Sequence, residues 1–390
     1  MHNIFDELVD RRNTDCLKWD YCKQIFGKDD ILPMWVADMD FKSPRPIAQA
    51  IIRRAEHGIF GYTEESERLS DAVLGWLKRR HNWEIDSKWL TYSPGVVTSV
   101  NTAILAFTEP GDKILMQTPI YYPFYSSIKE NERELVTNSL ISRNGHYEID
   151  YADLEEKLAD NVRLMIFCSP HNPIGRVWTL DELKEVLRLC RKYNVIVVSD
   201  EIHSDLVYTG HKHIPIASLS EESLKNSVTL ISPTKTFNIA GLSMSAAIIP
   251  DAELRKKFRS TLKKHGAGVL NLFGLEAAIA AYTKCEEWLN ELLVYLEDNL
   301  NFLIQYFEEN IPKIKVIRPE ATYLAWLDCT DLPIPGEKLK AFFAHEAGVG
   351  LNDGATFGVE GHGFQRINFA CPRPVLEEGL ERIRNAAEKL

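Results

Sequence analysis

The chain is short of the features that mark several protein classes. Its seven cysteines (Cys16, Cys22, Cys168, Cys190, Cys285, Cys329 and Cys371) are odd in number and never stand at C-x-x-C spacing, which argues against a disulfide framework and against a structural metal site. No uninterrupted apolar run approaches membrane-spanning length. The opening stretch MHNIFDELVDRRNTD is polar and charged, without the apolar segment of a signal peptide. A cytoplasmic protein with no membrane association is therefore expected. Basic residues are in deficit, 45 Lys and Arg against 56 Asp and Glu, for a net charge of −11. That balance disfavours nucleic acid as a partner and leaves small-molecule chemistry as the default class. Internal repeats and Gly/Pro-rich linkers are missing too, so any domains must share contacts.

What is present suits a large core: 390 residues, 45% hydrophobic and 26% charged, enough for two closely associated domains. From about residue 60 helical periodicity alternates with short β-branched runs: RLSDAVLGWLKRRH, then KILMQ, ELVTNSL, RLMIFC, VIVVSD, VTLIS and AAIIP. Such runs read as buried strands. Between RLMIFC and VIVVSD lies TLDELKEVLRLCRKYN, where Thr179 stands three residues ahead of Glu182 as in a capping box and basic residues close the last turn. This is a βαβ unit, and a series of them predicts an α/β fold with a mainly parallel sheet flanked by helices and ligands beyond the carboxyl ends of the strands. A long helix is expected over roughly 286–310, then ATYLAWLD, a helix around Leu339 to Ala347, GFQRINFACP and a final helix from about Val375, an α+β arrangement.

The residues suited to chemistry follow the expected strands. VTLIS runs into SPTKTFNIAGLSMS, where Lys235 stands among hydroxyls with no second cation. A lysine at the end of a buried strand loses solvation, its pKa falls, and its amine can attack a carbonyl to form an imine; a solvated surface amine is the competing reading. VIVVSDEIHSDL places Asp200 at another strand end, where a buried carboxylate needs a cationic partner, unless it only caps the next turn. In TYSPGVVTSV a Pro-Gly turn opens a helix whose first N–H groups suit a phosphate. Asn172, in CSPHNPIGRVW, can donate to an anionic oxygen. Tyr121 and Tyr122, in QTPIYYPF, suit stacking on a flat ring or packing in a core or interface. Arg366, in GFQRINFACPR, has the planar fork for a carboxylate, with a structural ion pair as the alternative.

In this order the motifs closely resemble the fold-type-I pyridoxal-phosphate enzymes of the class I/II aminotransferase superfamily, along nearly the whole chain. More narrowly, MWVADMDF, FGYT, SPHNPIGRVW, SDEIHSDL, SPTKTFNIAGL and RINFACPR are similar to the cystathionine β-lyase, or C–S lyase, branch. The resemblance implies a seven-stranded sheet in a large cofactor domain (51–285), with a smaller α+β domain built from an N-terminal segment (1–50) and the C-terminal part (286–390). It implies pyridoxal 5′-phosphate joined to Lys235 as a Schiff base, Asp200 at the ring nitrogen, Asn172 at the ring oxygen and Tyr121 stacked on the ring. Gly95, Val96 and Val97 match the phosphate loop, Ser232 stands three residues before the lysine, and Tyr62 matches a tyrosine that reaches the phosphate of a neighbouring subunit, which implies a homodimer with shared sites. Arg366 matches the arginine that takes the substrate carboxylate. Trp35, Val36, Ala37 and Asp38 are expected on the substrate side, with Asn172 also touching substrate. His203 stands where many aminotransferases carry a tyrosine, which fits the lyase branch, and Ser243 replaces a phosphate-binding arginine.

The implied function is β-elimination from an L-cysteine thioether to a thiol, pyruvate and ammonia. Two alternatives remain open: an aminotransferase, which shares the first proton removal, and a catalytically silent regulatory protein on the same scaffold, since fold alone does not establish activity.

Overall fold

The computed structural model describes residues 4–220 and 223–390; the first three residues of the expected N-terminal segment, and residues 221 and 222 within the expected large domain, lie outside them. The apolar runs form one sheet of seven strands: β1 (Leu90–Ser93), β2 (Lys113–Thr118), β3 (Glu134–Ser139), β4 (Val162–Cys168), β5 (Ile196–Asp200), β6 (Ser227–Ile231) and β7 (Ser245–Ile248). Their spatial order is β1-β7-β6-β5-β4-β2-β3. Only β7 runs against its neighbours. Leu164–Cys168 of β4 are all buried, which is why that strand reads as an unbroken apolar run rather than an alternating one; β6 is buried throughout as well, with Ser227 and Thr229 inside.

Helices cover both faces, among them α1 (Glu67–His81), α2 (Val96–Phe107) and α3 (Leu180–Lys192). The start of α3 is set by the capping box: Thr179 Oγ1 accepts from the Glu182 amide at 3.3 Å, and Glu182 Oε2 accepts from the Thr179 amide at 2.7 Å. Its Leu183, Val186, Leu189 and Cys190 are buried against the sheet, and Arg191 and Lys192 favour the negative end of the helix dipole.

A 25-residue helix, α4 (Glu286–Asn310), follows, and buries Leu289, Leu292, Leu296, Leu300, Leu303 and Phe307. Its Asn299 is fully buried but satisfied, donating to the Phe369 and Cys371 carbonyls and accepting from Arg373. Beyond it lies an antiparallel sheet of β8 (Lys315–Ile317), β9 (Leu324–Asp328), β10 (Asn352–Asp353) and β11 (Phe364–Asn368), in the order β8-β9-β11-β10, closed by the helix α5 (Arg373–Ala387). The N-terminal chain joins this part of the molecule through Leu32–Pro33, which pair in parallel with Val349–Gly350. The helix expected around Leu339–Ala347 is α-helical only over Leu339–Ala341 and widens to a π-turn over Phe342–Glu346; the adjacent rings of Phe342 and Phe343 are both buried there, which a regular turn with its single apolar stripe serves less well. Among the described residues no helix is long and apolar enough to cross a membrane.

Because β1, β2, β4, β5 and β6 all point the same way, their carboxyl ends deliver Pro94–Gly95, Tyr121, Asn172, Asp200 and Lys235 to one edge of the sheet. The same edge faces β11, whose register sets Arg366 opposite Trp326 on β9 and Asn352 on β10.

Candidate active site

A cavity of about 200 Å³ opens at this edge, lined by Ala37, Pro94, Gly95, Val96, Val97, Thr98, Tyr121, Cys168, Asn172, Asp200, Ile202, His203, Thr234, Lys235, Ala240 and Ser243. Strand pleating explains the choice between the neighbouring acids, since successive side chains point to opposite faces. Asp200 turns into the cavity, whereas Glu201 turns away to His213 at 2.8 Å.

Lys235 sits in the short helix Pro233–Thr236 that follows β6, and its amine donates to the Ala37 carbonyl at 2.7 Å. Burial pushes that amine down to about 8; Asp38 opposes the shift, Arg366 adds to it and Asp200 opposes it. Asp200 is buried, and its side chain accepts the Ile202 amide at 3.1 Å. Desolvation lifts its carboxyl to about 7 despite that bond and the nearby lysine. His203 is buried with Nδ1 unpartnered, and burial, reinforced by Lys235 and Arg366, holds its imidazole neutral, pushed down to about 3. The helix α2 begins at Val96 with Gly95 as its cap and no side-chain cap, which leaves first-turn amides of that helix directed at the cavity.

Arg366 is almost wholly buried and its hydrogen-bond partners are all neutral: Asn172 Oδ1 at 2.9 Å, the Trp35 carbonyl at 3.1 Å and Asn352 Oδ1 at 2.5 Å. The Phe357 ring lies 4.8 Å from its guanidinium carbon, and Nε has no partner. Burial lowers it to about 10, against the pull of Tyr121, Tyr122 and Tyr323. No ion pair holds this cation among the described residues, so the structural-ion-pair alternative finds no partner. A buried cation without a counter-ion is costly unless an anion completes the site.

The expected residues thus divide. Ala37, Gly95, Val96, Val97, Tyr121, Asn172, Asp200, His203 and Lys235 line one cavity, and Arg366 reaches it through Asn172. Ser232 does not line it: its hydroxyl donates to the Met244 carbonyl and pairs with Thr234 Oγ1, and Thr234 faces the cavity in its place. Trp35 offers Arg366 its backbone carbonyl, while its ring packs on Phe26. Tyr62 is fully exposed, away from the cavity. Residues not singled out from sequence include Asn352, Phe357, Thr98, Thr234 and Tyr323, whose hydroxyl shares the Ala37 carbonyl with Lys235 at 2.9 Å.

A model of the family described as aminotransferase class I and II matches residues 30–383. Cystathionine beta-lyase PatB of Bacillus subtilis (strain 168) is 46% identical, across 98% of this chain and 99% of its own. The structure of a PLP-bound putative aminotransferase from Clostridium difficile 630 superposes with a TM-score of 0.96 at 47% identity, covering 98% of this chain and 99% of the other. Cystalysin from Treponema denticola, which contains a pyridoxal 5′-phosphate cofactor, gives 0.96 at 35% identity, covering 100% of both chains.

The lowered lysine has a direct consequence. In cofactor-free protein the reactivity of Lys235 toward an amine-selective acylating reagent should rise as pH passes through about 8, because its neutral form appears there. Peptide mapping of the modified lysine across pH checks this; a rise delayed to the range of free lysine, about 10.4, contradicts it.

Proposed function

The chain belongs to the family of class I and II aminotransferases, and from that premise we propose that it is a pyridoxal-5′-phosphate-dependent C–S lyase that cleaves an L-cysteine thioether with Lys235 as the cofactor-bearing and proton-moving residue. The observation that carries the reading is one cavity lined by a lysine with a lowered pKa and an otherwise uncompensated buried carboxylate and, bonded to its Asn172, an arginine that has no ion pair among the described residues. The cofactor suits each of them. A cationic ring nitrogen compensates Asp200, a phosphate suits the first turn of α2 and the nearby side chains of Thr98, Thr234 and Ser243, and Tyr121 supplies an aromatic face. With its Oδ1 engaged by Arg366, Asn172 keeps its amide nitrogen for the ring oxygen.

Bound, the cofactor supplies an electron sink for the pair left when the substrate α-proton departs. Arg366, pre-set by Asn172, Asn352 and Trp35, takes the substrate α-carboxylate and fixes which bond faces Lys235. The Lys235 amine, neutral at lower pH than an ordinary lysine, accepts the α-proton. The Cβ–S bond then breaks with the electron pair leaving on sulfur; with one water consumed the products are thiol, pyruvate and ammonium. His203, held neutral by burial and the charges of Lys235 and Arg366, adds no further positive charge beside the lysine. The choice of elimination over amino transfer rests on the full-length likeness to PatB. Purified cofactor-loaded protein given L-cystathionine, with no 2-oxo acid added, should release pyruvate and free thiol in equal amounts. Amino transfer that requires an added 2-oxo acid, without pyruvate release, points to the aminotransferase alternative.

The active unit in this proposal is a homodimer with Tyr62 reaching the neighbour's phosphate. Ile59, Phe60 and Tyr62 stand exposed in one stretch, an apolar surface that suits burial against a second copy. Mixing inactive Lys235→Ala subunits with Tyr62→Phe subunits should restore activity in the hybrid, which keeps one site with both native residues; hybrids no better than the parents contradict shared sites.

A further inference from the structure

Two buried carboxylates next to the cavity residues, Asp205 and Glu201, are left unused by the proposed chemistry. Asp205 stands in the loop that leaves β5, five residues beyond Asp200. Its Oδ2 accepts from the Thr236 hydroxyl at 3.0 Å, its Oδ1 meets His81 Nε2 at 2.9 Å, and Trp76 Nε1 reaches both oxygens at 3.1 and 3.3 Å. Thr236 is wholly buried and directly follows Lys235. On the other side Glu201, which directly follows Asp200, is held by the Ser199 hydroxyl at 2.9 Å, the Ile216 amide at 3.0 Å and His213 at 2.8 Å. The rings of His81 and His213 meet edge to face with centroids 5.5 Å apart, so the two carboxylate–imidazole pairs abut.

A carboxylate is an expensive group to bury for packing alone. Here Asp205 does something an apolar residue would not: it stands with His203 in the loop that follows Asp200 of β5 and bonds to the short helix carrying Lys235. His81, the last residue of α1, fixes Asp205 Oδ1 through its ring nitrogen. Burial pushes the Asp205 carboxyl up, but the bond and charge of His81, with the Thr236 hydroxyl, outweigh it and keep it below the usual range.

We propose that Asp205, held by His81 and bonded to Thr236, is a positioning residue that fixes the Lys235 amine relative to the Asp200 carboxylate. The proposal rests on the cavity being the cofactor site, since these two groups are the ones assigned to opposite ends of the cofactor ring. Without the tie the short helix Pro233–Thr236 has freedom to shift relative to β5, and small displacements of a reacting group are costly in rate.

The test uses cofactor-loaded protein carrying Thr236→Val, which keeps the shape and loses the hydroxyl, or Thr236→Ser, which keeps the hydroxyl. Thr236→Val should lower kcat roughly tenfold or more with a much smaller change in KM, and should alter the visible circular dichroism of the bound cofactor, which reports how the ring is held. Thr236→Ser should restore both toward wild type. Wild-type kcat and dichroism in Thr236→Val overturn the proposal, as does a Thr236→Ser protein as impaired as Thr236→Val, which would make the methyl group the relevant feature. Should Thr236→Val fail to fold, Asp205→Asn is read in the same way, and an unchanged dichroism spectrum there overturns the proposal. The dichroism is read on bound cofactor whichever reaction is catalysed, so a protein that transaminates instead of eliminating contradicts the lyase reading and leaves this test intact. A wild-type protein that binds no cofactor overturns both.

Discussion

The constraint on which the site depends is desolvation. Lys235, Asp200 and Arg366 meet at the carboxyl edge of a parallel sheet, where burial works against the charged form of each. The chain supplies no salt-bridge partner for any of the three among its described residues. Ordinary buried charges are paired; here Lys235 and Arg366 donate to neutral oxygens of Ala37, Asn172, Asn352 and Trp35, and Asp200 accepts from the Ile202 amide. Such a site is stabilised by a ligand carrying complementary charges, and a cofactor with a cationic ring nitrogen together with an amino-acid carboxylate is a matching set.

The segment MWVADMDF links this electrostatic arrangement to the fold. Its carbonyls are taken one after another by side chains from elsewhere in the chain: Trp35 by Arg366, Val36 and Asp38 by Asn368, Ala37 by Lys235 and Tyr323, and Met39 by Arg11 and Asn238. The anchoring continues into a buried ion network in which Asp40 pairs with Lys18 and Arg11. This one stretch therefore ties the N-terminal chain, β11 and the short helix carrying the lysine together.

Much of this was legible from local pattern. Strand runs such as VIVVSD, the Thr179–Glu182 capping box and the residues that follow each strand are short-range signals, and the parallel topology then brings Gly95, Tyr121, Asn172, Asp200 and Lys235 together at one edge. The features that escaped are long-range or conformational. Asn352 meets Arg366 only because β10 and β11 are neighbours, and Phe357 and Tyr323 approach the site from the C-terminal part of the chain. Thr234 rather than Ser232 faces the cavity because the Ser232 hydroxyl is spent capping its own short helix and on the Met244 carbonyl. The π-turn at Phe342–Glu346 leaves no signature in a helical periodicity.

The central claim is that Lys235 is the covalent anchor of the cofactor, and chemical trapping tests it most directly. Borohydride reduction of cofactor-loaded protein, followed by digestion and mass spectrometry, should place the pyridoxyl mass on the lysine of SPTKTFNIAGL and on no other peptide. The added mass on a different lysine, or a bound cofactor that leaves no covalent mark after reduction, would contradict the account.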